Sequence, residues 1–182
     1  MTNTHLGAGG KGGASRTNAI DRDAAVHFIH AAAATPSITR FLLVSYLGAR
    51  REQSSWWSDA AWAAAQKGNE SLGAYYAAKL EADEELFRAG RQRNDFVAID
   101  LRPGTLTTDP AGKVELGRTK DARGKVSREA VAKVADGLLA AEGVKSGWLD
   151  LLDGDEEVDT AVDRVVKEGV DASEGEPVTQ EK

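Results

Sequence analysis

The sequence predicts an α/β protein built on a partial, doubly wound parallel sheet with flanking helices. Three observations predict it. Helical and strand-like apolar patterns alternate along the chain. The strand-like runs are short and nearly continuous in apolar residues, as parallel strands are when both faces are covered. Only three such runs stand out, where a complete doubly wound domain has about six, so the chain reads as one half of such a sheet. Strands and helices that alternate in this order join through right-handed crossovers, which makes the strands parallel.

A glycine-rich opening, residues 7–13, precedes a helix over residues 18–34, in which Ile20, Ala24, Phe28 and Ala31 recur at helical spacing. Pro36 stops it, and residues 40–47 (RFLLVSYL) form the first strand, with Ser45 at its carboxyl end. A polar loop with Trp56 and Trp57 leads to an alanine-rich helix that Ser58 or Asp59 caps and that extends to about residue 88. Gly68 and Gly73 predict a break or bend near its middle, since each costs about 1 kcal/mol relative to alanine in a helix interior. Residues 95–101 (DFVAIDL) form the second strand, which ends at the turn of residues 102–105; residues 107–125 read as an irregular loop. Ser127 caps a helix over residues 127–140 with Val131, Val134, Leu138 and Leu139 on one side. Residues 147–153 (GWLDLLD) form the third strand. The last helix, residues 155–168, carries Asp155, Glu156 and Glu157 where its dipole favours them and buries Val158, Val162, Val165 and Val166. The chain divides into a glycine-rich segment, 1–16, a sheet-forming body, 17–170, and a tail, 171–182, whose lack of apolar periodicity predicts disorder.

Composition narrows the function. The formal net charge is −6, from 29 acidic against 23 basic side chains, which leaves no basic stripe for a phosphate backbone; nucleic acid is not an expected partner. Cysteine is absent, which excludes disulfides, thiolate metal sites and a cysteine nucleophile. No apolar run approaches the roughly 20 residues of a membrane helix, and the first residues lack the apolar segment of a signal peptide, so the expected location is cytoplasmic.

Ligands of open parallel sheets bind at the carboxyl ends of the strands. Ser45, residues 102–106 and Asp153 fall there, beside the helix that carries Tyr75 and Lys79. These two are four residues apart, so they share a helix face with Cβ atoms about 5–6 Å apart. A neighbouring ammonium favours the phenolate, which makes the pair an acid/base unit; the same spacing also arises by chance on ordinary helices. His27 and His30 share a face but lack a third ligand at matching spacing, and read as a solvated pair; no metal site is expected. Trp56 and Trp57 either form a lid or pack on the neighbouring helix. Asp21 and Asp23 either line a ligand or cap their helix.

Four motifs in order carry a resemblance: VSYLGARR at the end of a strand, YYAAKLEADE in the next helix, AIDLRPGTLTTDPAGKVELG across the next strand and loop, and GKVSREAVAKVADGLL opening the following helix. Together, over residues 7–169, they resemble the atypical, NAD(P)H-binding branch of the short-chain dehydrogenase/reductases. The resemblance implies a Rossmann-type sheet and an NAD(P) cofactor. It implies that Tyr75 is the catalytic acid/base, that Lys79 lowers its pKa and bonds the nicotinamide ribose, and that Ser45 orients a carbonyl substrate. Arg102, Pro103, Gly104 and Thr105 match the turn that passes the nicotinamide. The function implied is hydride transfer between NAD(P)H and a small carbonyl or alcohol. The alternatives are a non-catalytic dinucleotide-binding or redox-sensing protein and an inactive truncated remnant.

The family's glycine fingerprint sits on a first strand and helix. Here residues 7–12 (GAGGKG) match G-x-G-x-x-G in form only, since six polar residues precede them and no strand does. They resemble instead the loop after the fourth strand of complete relatives, with Gly9 and Gly10 near the cofactor. The expectation is therefore a C-terminal part of the domain, lacking the nucleotide-binding half and unable alone to hold NAD(P)H with useful affinity. The first strand is expected to have an open edge that invites self-association, because MTNTHL is too short and polar to cover it.

Overall fold

The computed structural model describes residues 2–4 and 13–181. Strands β1 (Thr2–Thr4), β2 (Arg40–Val44) and β3 (Val97–Pro103) are followed by two short ones, β4 (Thr105–Thr107) and β5 (Val114–Gly117). Then come β6 (Lys125–Ser127) and β7 (Gly147–Asp153). The main sheet has the order β1-β2-β3-β7-β5, parallel except for β5, which pairs antiparallel with β7; β4 and β6 form a separate parallel pair.

Helices cover both faces. A continuous helical stretch contains α1 (Gly13–Thr17), a π-helical segment (Asn18–Ala24) and α2 (Ala25–Ala34). With α3 (Asp59–Gln92) it covers one face; α4 (Arg128–Ala140) and α5 (Val158–Glu168) cover the other. The alternation along β2 shows why its run is apolar throughout. Phe41 and Leu43 pack under Ile29, Ala82 and Leu86, while Leu42 and Val44 pack with Val134 and Leu138. Each fully buried side chain of this size contributes about 1.5–3 kcal/mol. Ser58 caps α3 by accepting from Ala61 N, and Ser127 caps α4 by accepting from Ala130 N. The expected bend in α3 falls at Gly73, where the backbone leaves helical geometry (φ 16°, ψ −89°).

Five expectations need correction. β1 pairs with Phe41, Leu42 and Leu43, so the edge of β2 is covered; backbone hydrogen bonding needs no apolar side chain. The segment expected to be irregular holds β5, whose Val114 and Leu116 are buried while Glu115 is not. β3 runs through Arg102 and Pro103, because the neighbouring strands need only the proline carbonyl, which accepts from Leu47 N. The buried face of the first helix is Asp21, Ala25, Ile29 and Ala32, not the stripe with Phe28, which is 46% exposed. The tail is packed rather than disordered: Ala172 and Val178 are buried against Trp148 and Leu80, and Pro177–Gln180 forms a 3-10 turn.

Beneath α3 lies a buried charge cluster. Arg102 reaches Asp83 (2.5 Å), Asp100 (3.0 Å) and Asp150 (3.4 Å), and its guanidinium stacks over Trp148, 4.0 Å from the ring centroid. Arg50 pairs with Asp150 at 2.7 Å and with Glu176 at 3.6 Å, and donates to Ala172 O. No described helix is long and apolar enough to cross a membrane.

Candidate functional site

The carboxyl rim of the sheet is extended by backbone bonds past the strand ends. Ser45 N donates to Leu101 O (2.8 Å), Leu47 N to Pro103 O (3.0 Å) and Gly104 N to Leu151 O (3.0 Å). Lys79, on α3 just past the Gly73 bend, donates from Nζ to Val44 O at 3.2 Å, so its ammonium lies at the last residue of β2, beside Ser45. Asp21 Oδ1, from the π-helical segment, is 3.5 Å from the same nitrogen. The Tyr75 ring centroid is 5.8 Å from Lys79 Nζ and 5.8 Å from the ring of Tyr46. Ser45, Tyr75, Lys79 and Gly104 are thus brought to one rim.

The electrostatics differ from those the resemblance implies. The Tyr75 phenol is pushed well above its ordinary pKa of 10, first by burial and then by the charges of Asp21, Asp83 and Tyr46. The Lys79 ammonium faces the Asp21 carboxylate and the Val44 carbonyl. Tyr75 therefore keeps its proton at neutral pH. Burial also pushes the Asp83 carboxyl up to about 6, against the opposing effects of Arg102, Ser45 and Lys79.

The other expected site residues separate. Arg102 is fully buried in the charge cluster, so its side chain cannot reach a ligand at the rim; its role is structural. Pro103 is buried within β3. Gly104 and Thr105 do reach the rim, and Thr105 N donates to Gly124 O. A Cβ on Gly104 would stand 2.6 Å from Leu152 Cδ2 and 2.7 Å from Gly124 O, so only glycine fits. Gly9 and Gly10 lie outside the described residues. Trp57 is a core residue, its Nε1 donating to Thr119 O at 2.8 Å, while half-buried Trp56 carries Arg118 on its ring. His30 pairs with Glu85 at 2.6 Å across α2 and α3. Among the described residues no group of three acids or histidines could hold a metal.

Sequence reasoning noted Asp21 but missed its place against Lys79, because a carboxylate on an alanine-rich helix gives no signal that it is buried. It also missed a cavity of about 760 Å³ on the rim, whose lining includes Tyr46, Lys67, Gly104, Thr105, Arg123 and Lys125. Those residues come from four segments that only the fold brings together.

Residues 4–142 match the sequence profile of a family described as NAD(P)H-binding. The chain is 32% identical over 160 residues to YhfK of Bacillus subtilis, named an uncharacterized sugar epimerase, covering 87% of this chain and 65% of that protein. It is 32% identical over 169 residues to the UPF0659 protein C216.03 of Schizosaccharomyces pombe, covering 90% and 66%. The chain thus spans about two thirds of the length of these curated relatives. A solved structure from Bacillus halodurans, assigned to the NAD-dependent epimerase/dehydratases, aligns with a TM-score of 0.71 at 26% identity, over 89% of this chain and 68% of that one. By profile, identity and architecture, the chain belongs to the NAD(P)H-binding family, an atypical short-chain dehydrogenase/reductase-like group with a Rossmann-like fold.

Proposed function

We propose that this protein is an NAD(P)H-dependent oxidoreductase that reduces a small carbonyl compound at the Tyr75 rim. One observation supports this above others: a protonated tyrosine and a lysine ammonium are held together at the carboxyl ends of β2 and β3. The rim suits the nicotinamide-ribose end of the cofactor. Lys79 is the donor for the ribose hydroxyls, and the Gly104 turn leaves a wall without a side chain. Bound NAD(P)H supplies the hydride.

The chain's own residues supply position and the proton. Tyr75 holds its proton on Oη because burial, and after it the charges of Asp21 and Asp83, oppose a phenolate, and it passes that proton to the carbonyl oxygen of the substrate. Lys79, fixed by Val44 O and Asp21, stabilises the negative charge left on the phenol oxygen until solvent replaces the proton. Ser45, at the end of β2, orients the carbonyl.

The test is oxidation of NADH and NADPH at millimolar concentration, followed by absorbance, with a panel of small aldehydes and ketones. Tyr75→Phe is expected to lower turnover by about 10²–10⁴-fold while cofactor affinity is retained. No turnover with any carbonyl, or turnover retained in Tyr75→Phe, refutes the proposal.

A further inference from the structure

We propose that the cavity beside Tyr46 binds a substrate through an anionic group, a phosphate or a carboxylate, held by Lys67, Arg123 and Lys125. The proposal deepens the oxidoreductase reading and rests on it for placing the reacting carbonyl near Tyr75. The cavity's volume, about 760 Å³, lies within the range of small-molecule sites. It opens on the reactive rim, because Tyr46 lines it and its ring touches that of Tyr75, while Gly104 and Thr105 form the wall at the end of β3.

The charge of the lining is unlike that of the chain. Acidic residues outnumber basic ones 29 to 23 overall, yet three cations and no aspartate or glutamate line this cavity. The cations come from separate segments: Lys67 from α3, Arg123 from the loop before β6, and Lys125 from the start of β6. Arg123 reaches across to α3, its Nη1 3.5 Å from Ala64 O, one turn before Lys67. Its charge also acts on Tyr46, where it opposes the upward push of burial on the phenol.

Elsewhere the guanidinium groups of Arg22, Arg50, Arg51, Arg88, Arg102 and Arg164 lie within ion-pair distance of carboxylates. Among the described residues, Lys67, Arg123 and Lys125 have no carboxylate within 4.0 Å. Three like charges around one cavity repel one another, and an anion between them relieves that repulsion. A neutral substrate would gain nothing from the arrangement. The ligand class is therefore an aldehyde or ketone that carries a phosphate or a carboxylate.

The experiment is calorimetric titration of the full chain, without cofactor, with sodium phosphate and separately with sodium citrate at constant pH and ionic strength. At least one anion is expected to bind, and the preferred one identifies phosphate or carboxylate as the recognised group. The triple variant K67Q/R123Q/K125Q is expected to bind it about tenfold more weakly or worse. All three side chains are exposed, so the variant should keep its fold, which a circular-dichroism melt checks. The control K145Q/K167Q removes two exposed charges, Lys145 before the start of β7 and Lys167 on α5, and is expected to bind as the parent does. Absence of binding by either anion, unchanged binding in the triple variant, or equal loss in the control overturns the proposal. The readout needs no turnover, so the two readings fail separately. Anion binding with no carbonyl reduction sinks the oxidoreductase reading alone, and reduction of neutral carbonyls with no anion binding sinks this one alone.

Discussion

Replacing Arg102 by methionine distinguishes a cofactor contact from a structural cation. Arg102 is 0% exposed and lies 2.5 Å from Asp83, 3.0 Å from Asp100 and 3.4 Å from Asp150. Arg50 remains for Asp150, while Asp83 and Asp100 keep only the influence of Lys79, which is weaker than that of Arg102. Removing one partner of a buried ion pair costs about 3–5 kcal/mol, which for a chain of this length lowers the melting temperature by about 6–20 °C. The loss must depend on pH. The Asp83 carboxyl is raised from 3.8 to about 6 in the folded protein, chiefly by burial, and Asp100 is raised well above its ordinary value for the same reason. A raised carboxyl stabilises the fold while protonated, fully below its unfolded value, and that contribution is lost as pH rises through the folded value. Without the guanidinium both folded values rise further, so the deficit of Arg102→Met is small near pH 4 and grows to its full size by pH 8. Urea denaturation followed by tryptophan fluorescence at both pH values measures it. A loss below about 1 kcal/mol at pH 8, or an equal loss at the two pH values, refutes the structural assignment.

Gly104→Ala is expected to destabilise the fold by about 1–3 kcal/mol in the same assay, because the new methyl meets Leu152 and the backbone carbonyl of Gly124, which cannot move cheaply. Deleting residues 172–182 removes buried Ala172 and Val178, the Ala172 acceptor of Arg50 and the Glu176 carboxylate; a loss of about 3 kcal/mol or more is expected, and an unchanged urea midpoint contradicts the packed tail. NADH and NADPH are expected to bind more weakly than about micromolar by calorimetry. On the proposed reading Lys79, Ser45 and the Gly104 turn serve the nicotinamide end and no described group serves the pyrophosphate, which leaves the association cost of roughly 4–15 kcal/mol poorly offset.

The parts of the fold legible in the sequence are those held by side-chain burial. β2, β3 and β7 were visible because alternate residues face two apolar layers, which leaves a nearly unbroken apolar run. β1 was not, since three polar residues join the sheet through backbone bonds that any residue can make. The tail was missed for a related reason. Its anchors are mostly polar: Asp171 Oδ1 accepts from Trp148 N and Ser173 N, and Glu176 Oε2 accepts from Arg51 N. The first helix misled because alanine gives several possible stripes, and its buried face carries an aspartate. At the site, the contact of Tyr75 with Lys79 followed from a spacing of four. The sign of the tyrosine's pKa shift did not, because it is set first by burial and then by Asp21 from another helix and Asp83 two turns along the same one, none of which the spacing reveals.

The charge cluster ties these parts together and explains why the rim depends on residues far from it. Asp83 lies where the two systems meet, with Lys79 and Ser45 acting on it from the rim and Arg102 from the core. From Arg102 the chain of contacts runs through Asp150 to Arg50, and from Arg50 to Glu176 and Ala172 in the C-terminal segment. Groups this deeply buried are stable only when each charge keeps its partner. The segment after α5 therefore closes a network whose other end fixes the charge beneath the Tyr75 and Lys79 pair. The same logic separates the two kinds of cation in the protein. Those in the core are committed to carboxylates and serve the fold, whereas Lys67, Arg123 and Lys125 line the cavity without such partners and can act on what enters it.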